Sequence, residues 1–352
     1  MEIARRKSRE VKIGAVAIGG TNPIAVQSMC STKTHDIKAT LEQIARMVNA
    51  GAEIIRVAVP DEKAAAALRE IKANCPVPLV ADIHFNYRLA LLAADAGVDK
   101  LRINPGNIGS ENRIKQVVEK AKEKGIPIRI GVNQGSVERD LVDKYVGPRP
   151  AALVESALRH VAILEKYDFR EIVISLKASS ANETIEAYKL IAQKCDYPFH
   201  LGVTEAGPAF TGTIKSSVAL GVLLYHGIGD TLRVSLTADV EEEIRAGWEI
   251  LKALGLRRRG PELISCPTCG RTEIDLIGLV AEVEKALKGI DKPIKVAVMG
   301  CVVNGPGEAA EADIGIIGGK TGILLTRKGK TVKRLQESEV IPALLEEIAH
   351  FK

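Results

Sequence analysis

The stretch that decides the fold is GAEIIRVAVPDEKAAAALREIKANCPVPLVADIHFNYRLALLAADAGVDKLRIN, residues 51–104. In it, three short apolar runs alternate with two amphipathic stretches of helical length, at 53–59, 62–73, 79–83, 87–96 and 100–104. Most of the strand-like runs in the chain are apolar on successive residues and do not alternate, which is typical of strands covered on both faces by helices. The stretch therefore predicts consecutive βα units of one parallel sheet.

The same alternation continues on both sides of this stretch. Further strand-like runs lie at 24–29, 126–132, 171–176, 199–204 and 231–236. Further helical stretches lie at 37–50, 110–124, 150–166, 182–194, 209–226 and 240–254. Eight strands alternating with eight helices predict an α/β fold of the (β/α)8 or TIM-barrel type, since a doubly wound sheet would need fewer strands and a glycine-rich first turn. Residues 11–18 precede the first strand and are expected to form a small hairpin on the barrel floor.

The βα period stops at RRRGP, residues 257–261. A short basic run that ends in Gly-Pro is typical of a solvated linker. We therefore expect residues 1–260 to form the barrel with its hairpin and residues 261–352 to form a small α+β domain. In that domain the pattern predicts helices at 276–287 and 340–351, and strands at 294–298, 314–317, 323–326 and 331–335.

One segment of the second domain imitates a phosphate-binding loop. Residues 318–322 read GGKTG, but the glycine that the phosphate-loop spacing requires at position 314 is an isoleucine. Because the segment lies between two predicted strands, we interpret it as a hairpin turn.

Composition excludes several classes of protein. With 46% hydrophobic and 26% charged residues among 352, the chain has ordinary globular composition and is neither disordered nor fibrous. A net charge of +5 suggests a mild preference for anionic ligands and does not indicate nucleic acid. No stretch reaches the roughly 18 apolar residues that span a bilayer. We expect a cytoplasmic protein with reduced thiols and neither a membrane nor a nucleic-acid partner.

The cysteines form the most specific pattern in the sequence. CPTCG at 266–270 places two thiols on one turn, and Cys301 opens the segment CVVNGPGE. We expect the Gly-Pro-Gly turn to bring Glu308 back toward Cys301. Three thiolates and a carboxylate favour a four-iron cluster, while a structural zinc ion and a redox dithiol stay open as alternatives. The other three cysteines are expected to be ordinary buried thiols: Cys30, Cys75 and Cys195.

Polar residues follow or end most predicted strands of the barrel, where TIM-barrel active sites lie. They are Gln27 with Ser28, Arg56, Asp82 with His84, Arg102 with Asn104, Arg129 with Asn133, Lys177, Glu205, and Arg233 with Ser235. Cations that crowd together away from water need anions to neutralise them, so we predict a diphosphate or doubly phosphorylated substrate. Glu205 is interpreted as a proton donor or a salt-bridge partner, and His84 as a ligand contact or a support for Asp82.

With these motifs in place, the chain closely resembles the short bacterial form of the 4-hydroxy-3-methylbut-2-en-1-yl diphosphate synthase family. The resemblance covers essentially the whole length. It rests on VQSM at 26–29, ADIHF at 81–85, LRINPGN at 101–107, IGVNQGS at 130–136, CPTCGR at 266–271 and VNGPGE at 303–308.

The resemblance implies a TIM barrel followed by a small α+β iron–sulfur domain that holds a [4Fe-4S] cluster through Cys266, Cys269, Cys301 and Glu308. It implies reduction of 2-C-methyl-D-erythritol 2,4-cyclodiphosphate to (E)-4-hydroxy-3-methylbut-2-enyl diphosphate, with electrons from reduced flavodoxin or ferredoxin. It also implies a homodimer in which the barrel of one subunit meets the cluster domain of the other.

Within that resemblance, Glu205 and Glu308 are the expected catalytic residues. The expected substrate-binding residues are Arg56, His84, Arg102, Arg129, Asn133, Lys177, Arg233, Ser235, Arg271 and Asn304.

Two other functions remain open. A transferase similar to pteroate synthases would also carry Asp, Asn, Lys and Arg at barrel strand ends, with a zinc-binding appendage. A non-catalytic zinc module could dock nucleic acid or protein through the basic run at 257–259. The absence of a second C-x-x-C motif and the presence of the NGPGE segment count against both.

Overall fold

The computed structural model describes residues 3–145, 147 and 149–351 of the chain. The chain divides into two compact units, Met1–Arg257 and Arg258–Lys352. The strands of the first unit are β1 (Val11–Ile13), β2 (Val16–Ile18), β3 (Ala25–Met29), β4 (Ile54–Ala58), β5 (Leu79–Asp82), β6 (Lys100–Ile103), β7 (Ile128–Asn133), β8 (Ile172–Lys177), β9 (His200–Leu201) and β10 (Thr231–Leu232).

Helices follow the barrel strands, as the sequence period predicts. They are α1 (Ile37–Asn49), α2 (Glu62–Asn74), α3 (Tyr87–Asp95), α4 (Pro105–Ile108), α5 (Glu111–Lys124), α6 (Arg139–Lys144), α7 (Pro150–Lys166), α8 (Ala181–Ala192), α9 (Ala209–Tyr225) and α10 (Val240–Ala253). Local sequence sets several ends: the Asp61 carboxylate caps α2, and Gly125 ends α5 in the left-handed conformation.

Strands β3 to β10 form one eight-stranded sheet in the order β8-β7-β6-β5-β4-β3-β10-β9, and every pairing is parallel. A bridge between Ile174 of β8 and Phe199, just before β9, joins the two edges of the sheet. The predicted (β/α)8 barrel is therefore confirmed.

The hairpin of β1 and β2 closes the floor of this barrel. Its side chains Val11, Ile13 and Ile18 are buried in one cluster with Ala25, Ile54, Val80 and Val173, which lie at or near the amino ends of their strands. The floor is therefore apolar, and the polar residues of the barrel lie above it.

The second unit is a five-stranded mixed sheet with helices. Its elements are β11 (Glu262–Ser265), α11 (Leu276–Leu287), β12 (Lys295–Met299), α12 (Gly305–Glu308), β13 (Ile314–Gly319), β14 (Gly322–Arg327), β15 (Lys330–Leu335) and α13 (Val340–His350), with strands ordered β11-β12-β13-β14-β15. Strands β11, β12 and β13 are parallel, whereas β14 pairs antiparallel with both neighbours. The turn at Lys320 and Thr321 joins β13 to β14, so the interpretation as a hairpin is confirmed.

Some elements differ from the sequence prediction. Strand β9 covers only His200–Leu201 instead of 199–204, because Val203, which extended the predicted run, is buried without pairing in the sheet. Strand β11 was missed, since its residues are half-buried or exposed at a sheet edge and show no buried pattern. The Gly-Pro-Gly segment forms the short helix α12 and not a bare turn.

Candidate active site

Asp82, the last residue of β5, is the centre of a charged network inside the barrel. Arg102 Nη1 donates to Asp82 Oδ1 at 3.0 Å, and Arg56 Nε lies 3.7 Å from Oδ2. His84 Nε2 lies 3.6 Å from Asp82 Oδ2 and 3.1 Å from Arg102 Nη1. Burial raises the pKa of Asp82, but Arg56, His84 and Arg102 outweigh it and hold that pKa well below its usual range. Asp82 is therefore an anion at neutral pH, and it orients both arginines.

The barrel interior concentrates positive charge around this carboxylate. Arg129, second in β7, is 1% exposed, and its Nε and Nη1 form no hydrogen bond with a described residue. Lys177, last in β8, is also buried, and burial lowers the pKa of both groups well below their usual values. Burial likewise lowers the pKa of Arg56 to about 9, although Asp82 opposes the shift. An anionic ligand would relieve this excess of charge.

Two glycines make room for the cations. A Cβ on Gly131 of β7 would lie 2.5 Å from Arg102 Nε, and the Gly131 carbonyl oxygen accepts a hydrogen bond from Arg102 Nη2 at 3.3 Å. A Cβ on Gly202 would lie 3.2 Å from Lys177 Nζ. Both positions face the barrel interior, where any side chain would displace a charged group.

Arg233 and Ser235 follow β10 and are both half-buried. The Arg233 guanidinium donates to Glu243 of α10 from Nε and Nη2, at 3.2 to 3.3 Å. Ser28 Oγ donates to the same carboxylate at 2.8 Å. Sequence reasoning did not single out Glu243, since a glutamate in a helical stretch gives no sign that it is buried; here it anchors Arg233.

Glu205 and Asn133 lie on one open cavity of about 480 Å³, which Gln134, Gly135, Ser136, Arg149, Ser179 and Thr204 also line. Glu205 is exposed and has a positive φ of 53°. A non-glycine residue in this region is strained, and such strain persists where the surrounding structure holds a side chain in a required place. Arg149 and Ser179 were not predicted, because both lie in loops beyond the strand ends.

Sequence reasoning also missed a deeper polar layer. Lys100 and His200 begin β6 and β9, both are fully buried, and neither Lys100 Nζ nor His200 Nε2 forms a hydrogen bond with a described residue. Burial, with Arg129 close by, lowers the pKa of both groups well below their usual values. One signal was present: Lys100 and Arg102 are two residues apart on a strand and therefore share a face.

In the second unit, two parallel strands place Cys266 beside the residue that precedes Cys301. Cys266 directly follows β11 and its backbone N–H donates to Val298 of the neighbouring β12. The backbone N–H of Gly300 donates to Cys266 Sγ at 3.2 Å, so this sulfur lies beside the residue that precedes Cys301. The Glu273 N–H donates to the Gly300 carbonyl at 2.9 Å and ties the end of the Cys-x-x-Cys loop to the same place.

The six cysteines divide by environment. Burial raises the pKa of Cys30 to about 12 and also raises that of Cys75 and Cys195, so these thiols of the barrel unit stay protonated. The pKa of Cys301 is lowered by the backbone N–H groups of Val303 and Asn304, and further by Arg271. The predicted residues Arg271 and Asn304 therefore lie beside Cys301.

The donor types suit an iron–sulfur cluster: thiolate sulfurs that accept backbone N–H groups are the usual protein environment of such a cluster. Glu308 is an exposed carboxylate at the end of α12, and Gly305 fixes that helix because an added Cβ would lie 2.6 Å from Ile317 Cγ2. Among the described residues, no three His, Cys, Asp or Glu side chains already converge closely enough to hold a metal ion. The residues present thus fit the group by the chemistry of their donors, and two of them, Cys266 and Cys301, follow neighbouring parallel strands.

None of the helices that the structure describes has the length and apolar character needed to cross a bilayer.

The two sites define a class of two-unit protein, in which a (β/α)8 barrel with a cationic interior shares one chain with a small α+β unit that bears paired cysteines. The chain belongs to the GcpE family: residues 8–248 match the GcpE TIM-barrel domain and residues 262–350 match the GcpE protein C-terminal domain.

Curated relatives match nearly the whole chain. A protein of Caldanaerobacter subterraneus subsp. tengcongensis is 60% identical over 98% of this chain and 97% of its own length. Proteins of Maridesulfovibrio salexigens and Nitratidesulfovibrio vulgaris are 58% and 56% identical over 99% and 100% of this chain, and over 98% and 91% of their own lengths. Each is named 4-hydroxy-3-methylbut-2-en-1-yl diphosphate synthase (flavodoxin).

Solved structures similar to this chain include dihydropteroate synthases. The Stenotrophomonas maltophilia enzyme superposes with a TM-score of 0.53 at 14% identity, covering 70% of this chain and 98% of its own. The Coxiella burnetii enzyme gives a TM-score of 0.51 at 13% identity, covering 71% of this chain and 100% of its own. At such identities the likeness shows a shared barrel fold and nothing about the reaction.

Proposed function

We propose that this chain catalyses the reductive ring opening and dehydration of 2-C-methyl-D-erythritol 2,4-cyclodiphosphate to (E)-4-hydroxy-3-methylbut-2-enyl diphosphate, in the non-mevalonate isoprenoid pathway. The observation that carries the proposal is the cationic barrel interior around Asp82, which suits a small diphosphate. The names of relatives up to 60% identical over nearly the full chain support the same reaction.

In this proposal the barrel cations hold the two phosphates. Arg56 and Arg102 are pre-oriented by Asp82, while Arg129 and Lys177 supply charge that lacks a carboxylate partner among the described residues. Bidentate arginine contacts would fix the orientation of the cyclic diphosphate, and Lys177 would act as a point charge. The other substrate-binding residues of the barrel are Asn133, Ser235, His84 and Arg233, with His84 positioned by Asp82 and Arg233 by Glu243.

Glu205 donates the proton that converts the departing hydroxyl into water. Its exposed carboxyl group on the cavity shared with Asn133 can meet a substrate without rearrangement of the core. Over the full reaction the ring C–O bond and the C–OH bond on the adjacent carbon both break, and a C=C bond forms between these two carbons. The ring oxygen stays on phosphate, the hydroxyl leaves as water, and the substrate takes up two electrons and one proton. A positioned proton donor contributes a factor of about 10² to 10⁴ to such steps.

A [4Fe-4S] cluster would be held by Cys266, Cys269, Cys301 and Glu308, and when bound it would supply single electrons and a Lewis-acidic iron. Backbone N–H groups surround two of these sulfurs. The N–H of Gly300 donates to Cys266 Sγ, and those of Val303 and Asn304 donate to Cys301. Glu308 would supply the one oxygen ligand of the set, which is harder than the three thiolates. Arg271 and Asn304 would then meet the substrate at this side.

The electron donor in this proposal is reduced flavodoxin, which appears in the names of the relatives, and ferredoxin is the second candidate. The reaction would take place in the cytoplasm, where the thiols stay reduced.

The proposed homodimer has a candidate surface on α9. An apolar stripe runs along its exposed side: Phe210, Ile214, Val218, Val222 and Tyr225. Such a continuous exposed stripe marks a protein contact, and a self-complementary helix face suits a two-fold dimer. We also propose that the barrel of one subunit and the cysteine domain of the other share one active site.

The dimer surface is tested by light scattering. Val218→Asp should yield monomers, whereas Leu92→Asp, at an exposed apolar position on α3, should leave the dimer intact. A dimeric Val218→Asp protein would contradict this surface.

The decisive experiment uses protein purified without oxygen. It should contain about four irons per chain, as one cubane cluster requires, and should absorb broadly in the visible range. Given the cyclic diphosphate and a reduced viologen, it should release the hydroxylated enyl diphosphate, identified by mass spectrometry. A colourless preparation with stoichiometric zinc, or iron-loaded protein without turnover, would overturn the proposal.

A further inference from the structure

The last three strands of the second unit carry a strong charge asymmetry. Between Ile314 and Gln336 the sequence holds six cations and no acidic residue: Lys320, Arg327, Lys328, Lys330, Lys333 and Arg334. Strand β15 is the edge of the sheet, and its first five residues are all exposed. We call the five cations other than Arg327 the basic edge.

The basic edge is not neutralised within the unit. Arg327 pairs with Glu347 of α13, so its charge is already balanced. By contrast, none of the five cations of the basic edge forms an ion pair with a residue that the structure describes. Arg334 Nη1 donates to the hydroxyl of Thr321 at 2.7 Å, which holds its guanidinium at the β13–β14 turn beside Lys320.

One end of the basic edge lies at the cysteine site. Since β14 pairs antiparallel with both β13 and β15, β15 runs in the same direction as β11, β12 and β13. Arg334 and the turn at Lys320 therefore lie at the same end of the sheet as Cys266 and Cys301. The residue before this turn, Gly319, lies close to Val302, which follows Cys301: an added Cβ on Gly319 would lie 3.1 Å from Val302 Cγ1.

We propose that the basic edge is the docking surface for the electron donor, and that the donor is a small flavin carrier whose docking face is acidic. The proposal rests on the function proposed above and adds to it the place where reduced flavodoxin binds. Opposite charges guide encounter and orient the two proteins, so the flavin is delivered to the sheet end that bears the cysteines. The exposed side chain of Val302, 49% accessible, provides an apolar contact beside the charged rim.

A protective role of the lysines does not explain the whole pattern. Charged residues on edge strands hinder pairing with other chains, and Lys330 and Lys333 serve that purpose anywhere along β15. Lys320 lies in a turn and Arg334 is held against it, so neither is needed to protect the strand. Nucleic acid would also bind a basic surface, so binding of duplex DNA is measured as the alternative.

The test compares two double variants of the iron-loaded protein. Lys320→Glu with Arg334→Glu reverses two charges of the basic edge. Lys285→Glu with Lys288→Glu reverses two exposed charges at the end of α11 and serves as the control. Turnover of the cyclic diphosphate is measured at low salt with reduced flavodoxin and, separately, with reduced viologen. Binding of flavodoxin to each protein is measured by flavin fluorescence anisotropy.

The basic-edge variant should show a KM and a Kd for flavodoxin raised by about tenfold or more, the range of electrostatic steering, with a flatter dependence on salt. Its rate with viologen should match wild type, and the control variant should match wild type with both donors. Equal flavodoxin binding by the two variants would overturn the proposal, as would binding of duplex DNA that the basic-edge variant loses while flavodoxin binding is unchanged. Absence of viologen-driven turnover in wild type would instead contradict the proposed function.

Discussion

Gly131 and Arg102 are fitted to each other across neighbouring strands: no side chain can stand at Gly131 without meeting the guanidinium, 2.5 Å from an added Cβ. The backbone of Gly131 also accepts from Arg102 Nη2, so the same residue both makes room for the arginine and orients it. Asp82 binds the other side of that guanidinium at 3.0 Å. The position of Arg102 therefore depends on a residue that contributes no side chain.

Gly131→Ala should push Arg102 out of place. Overpacking of this kind costs about 1–3 kcal/mol of stability, and we expect it to raise the KM for the cyclic diphosphate as well. The free energy of unfolding and the KM are the measurements. Gly135→Ala is the control for stability, because nothing lies within 4 Å of an added Cβ there. Wild-type values for Gly131→Ala would show that Arg102 does not need this glycine.

Glu205→Gln should bind substrate normally and lose kcat by about 10² to 10⁴, because an amide cannot donate the required proton at neutral pH. Glu119→Gln, on the outer side of α5, is a matched control and should behave as wild type. Measurement of kcat and KM separately decides the matter. If Glu205→Gln turns over at nearly the wild-type rate, Glu205 is not the proton donor.

Lys177→Ala should mainly weaken phosphate binding. A hydrogen bond to a charged group contributes about 1.5–3 kcal/mol, which corresponds to a KM raised by about tenfold or more. Lys189→Ala, an exposed lysine on α8, supplies the comparison. An unchanged KM together with an unchanged kcat would remove Lys177 from the site.

Lys100→Met should stabilise the substrate-free protein. Lys100 is fully buried and its pKa is lowered by burial, whereas an unfolded lysine has a pKa of about 10.4. Between the lowered folded pKa and the unfolded one, the unfolded chain binds more protons, so wild-type stability rises with pH in that window. Replacing a buried amine that has no hydrogen-bond partner among the described residues by an apolar chain of similar size is expected to add about 1–3 kcal/mol at neutral pH.

Urea unfolding at several pH values checks this expectation. Lys100→Met should show a smaller rise in stability with pH than wild type, while Lys189→Met should reproduce the wild-type slope. A less stable Lys100→Met protein at neutral pH would contradict the reading of Lys100 as a destabilising group.

Alanine at Cys266, Cys269 or Cys301 should each abolish iron retention, because the loss of one thiolate opens the cluster to solvent and oxygen. Cys195→Ala should keep its iron, since that thiol is half-buried in the barrel unit with a raised pKa. Iron analysis of anaerobically purified variants gives the answer. Full iron content in the Cys301→Ala protein would exclude it as a ligand.

The barrel was predictable from sequence because its signal is repeated. Runs such as 53–59 and 79–83 are mostly apolar on successive residues, and each lies within one or two residues of an observed strand. Strand β11 escaped because an edge strand of four residues with half-buried side chains has no such pattern. Strand β9 was predicted too long, since the apolar pattern continues to Val203, which is buried in the barrel outside the strand.

The candidate site was predictable where residues end strands and less so within them. Asp82 and Lys177 end their strands as expected, but Arg129 is the second residue of β7 and lies deeper in the barrel. His200 and Glu243 became visible only through burial, because neither residue type in a sequence gives a sign that the barrel will bury it, whereas Lys100 had one signal, its spacing from Arg102. The partners of the cysteines are backbone N–H groups, which no side-chain pattern reveals.

The hairpin beneath the barrel has a kinetic consequence. Val11, Ile13 and Ile18 pack the lower end with apolar side chains, through which a multiply charged molecule cannot pass. The substrate and the product of the proposed reaction must therefore use the same opening. The product must leave before a new substrate molecule can enter. The enyl diphosphate is accordingly expected to inhibit competitively against the cyclic diphosphate, in proportion to its affinity for the cations that both molecules share.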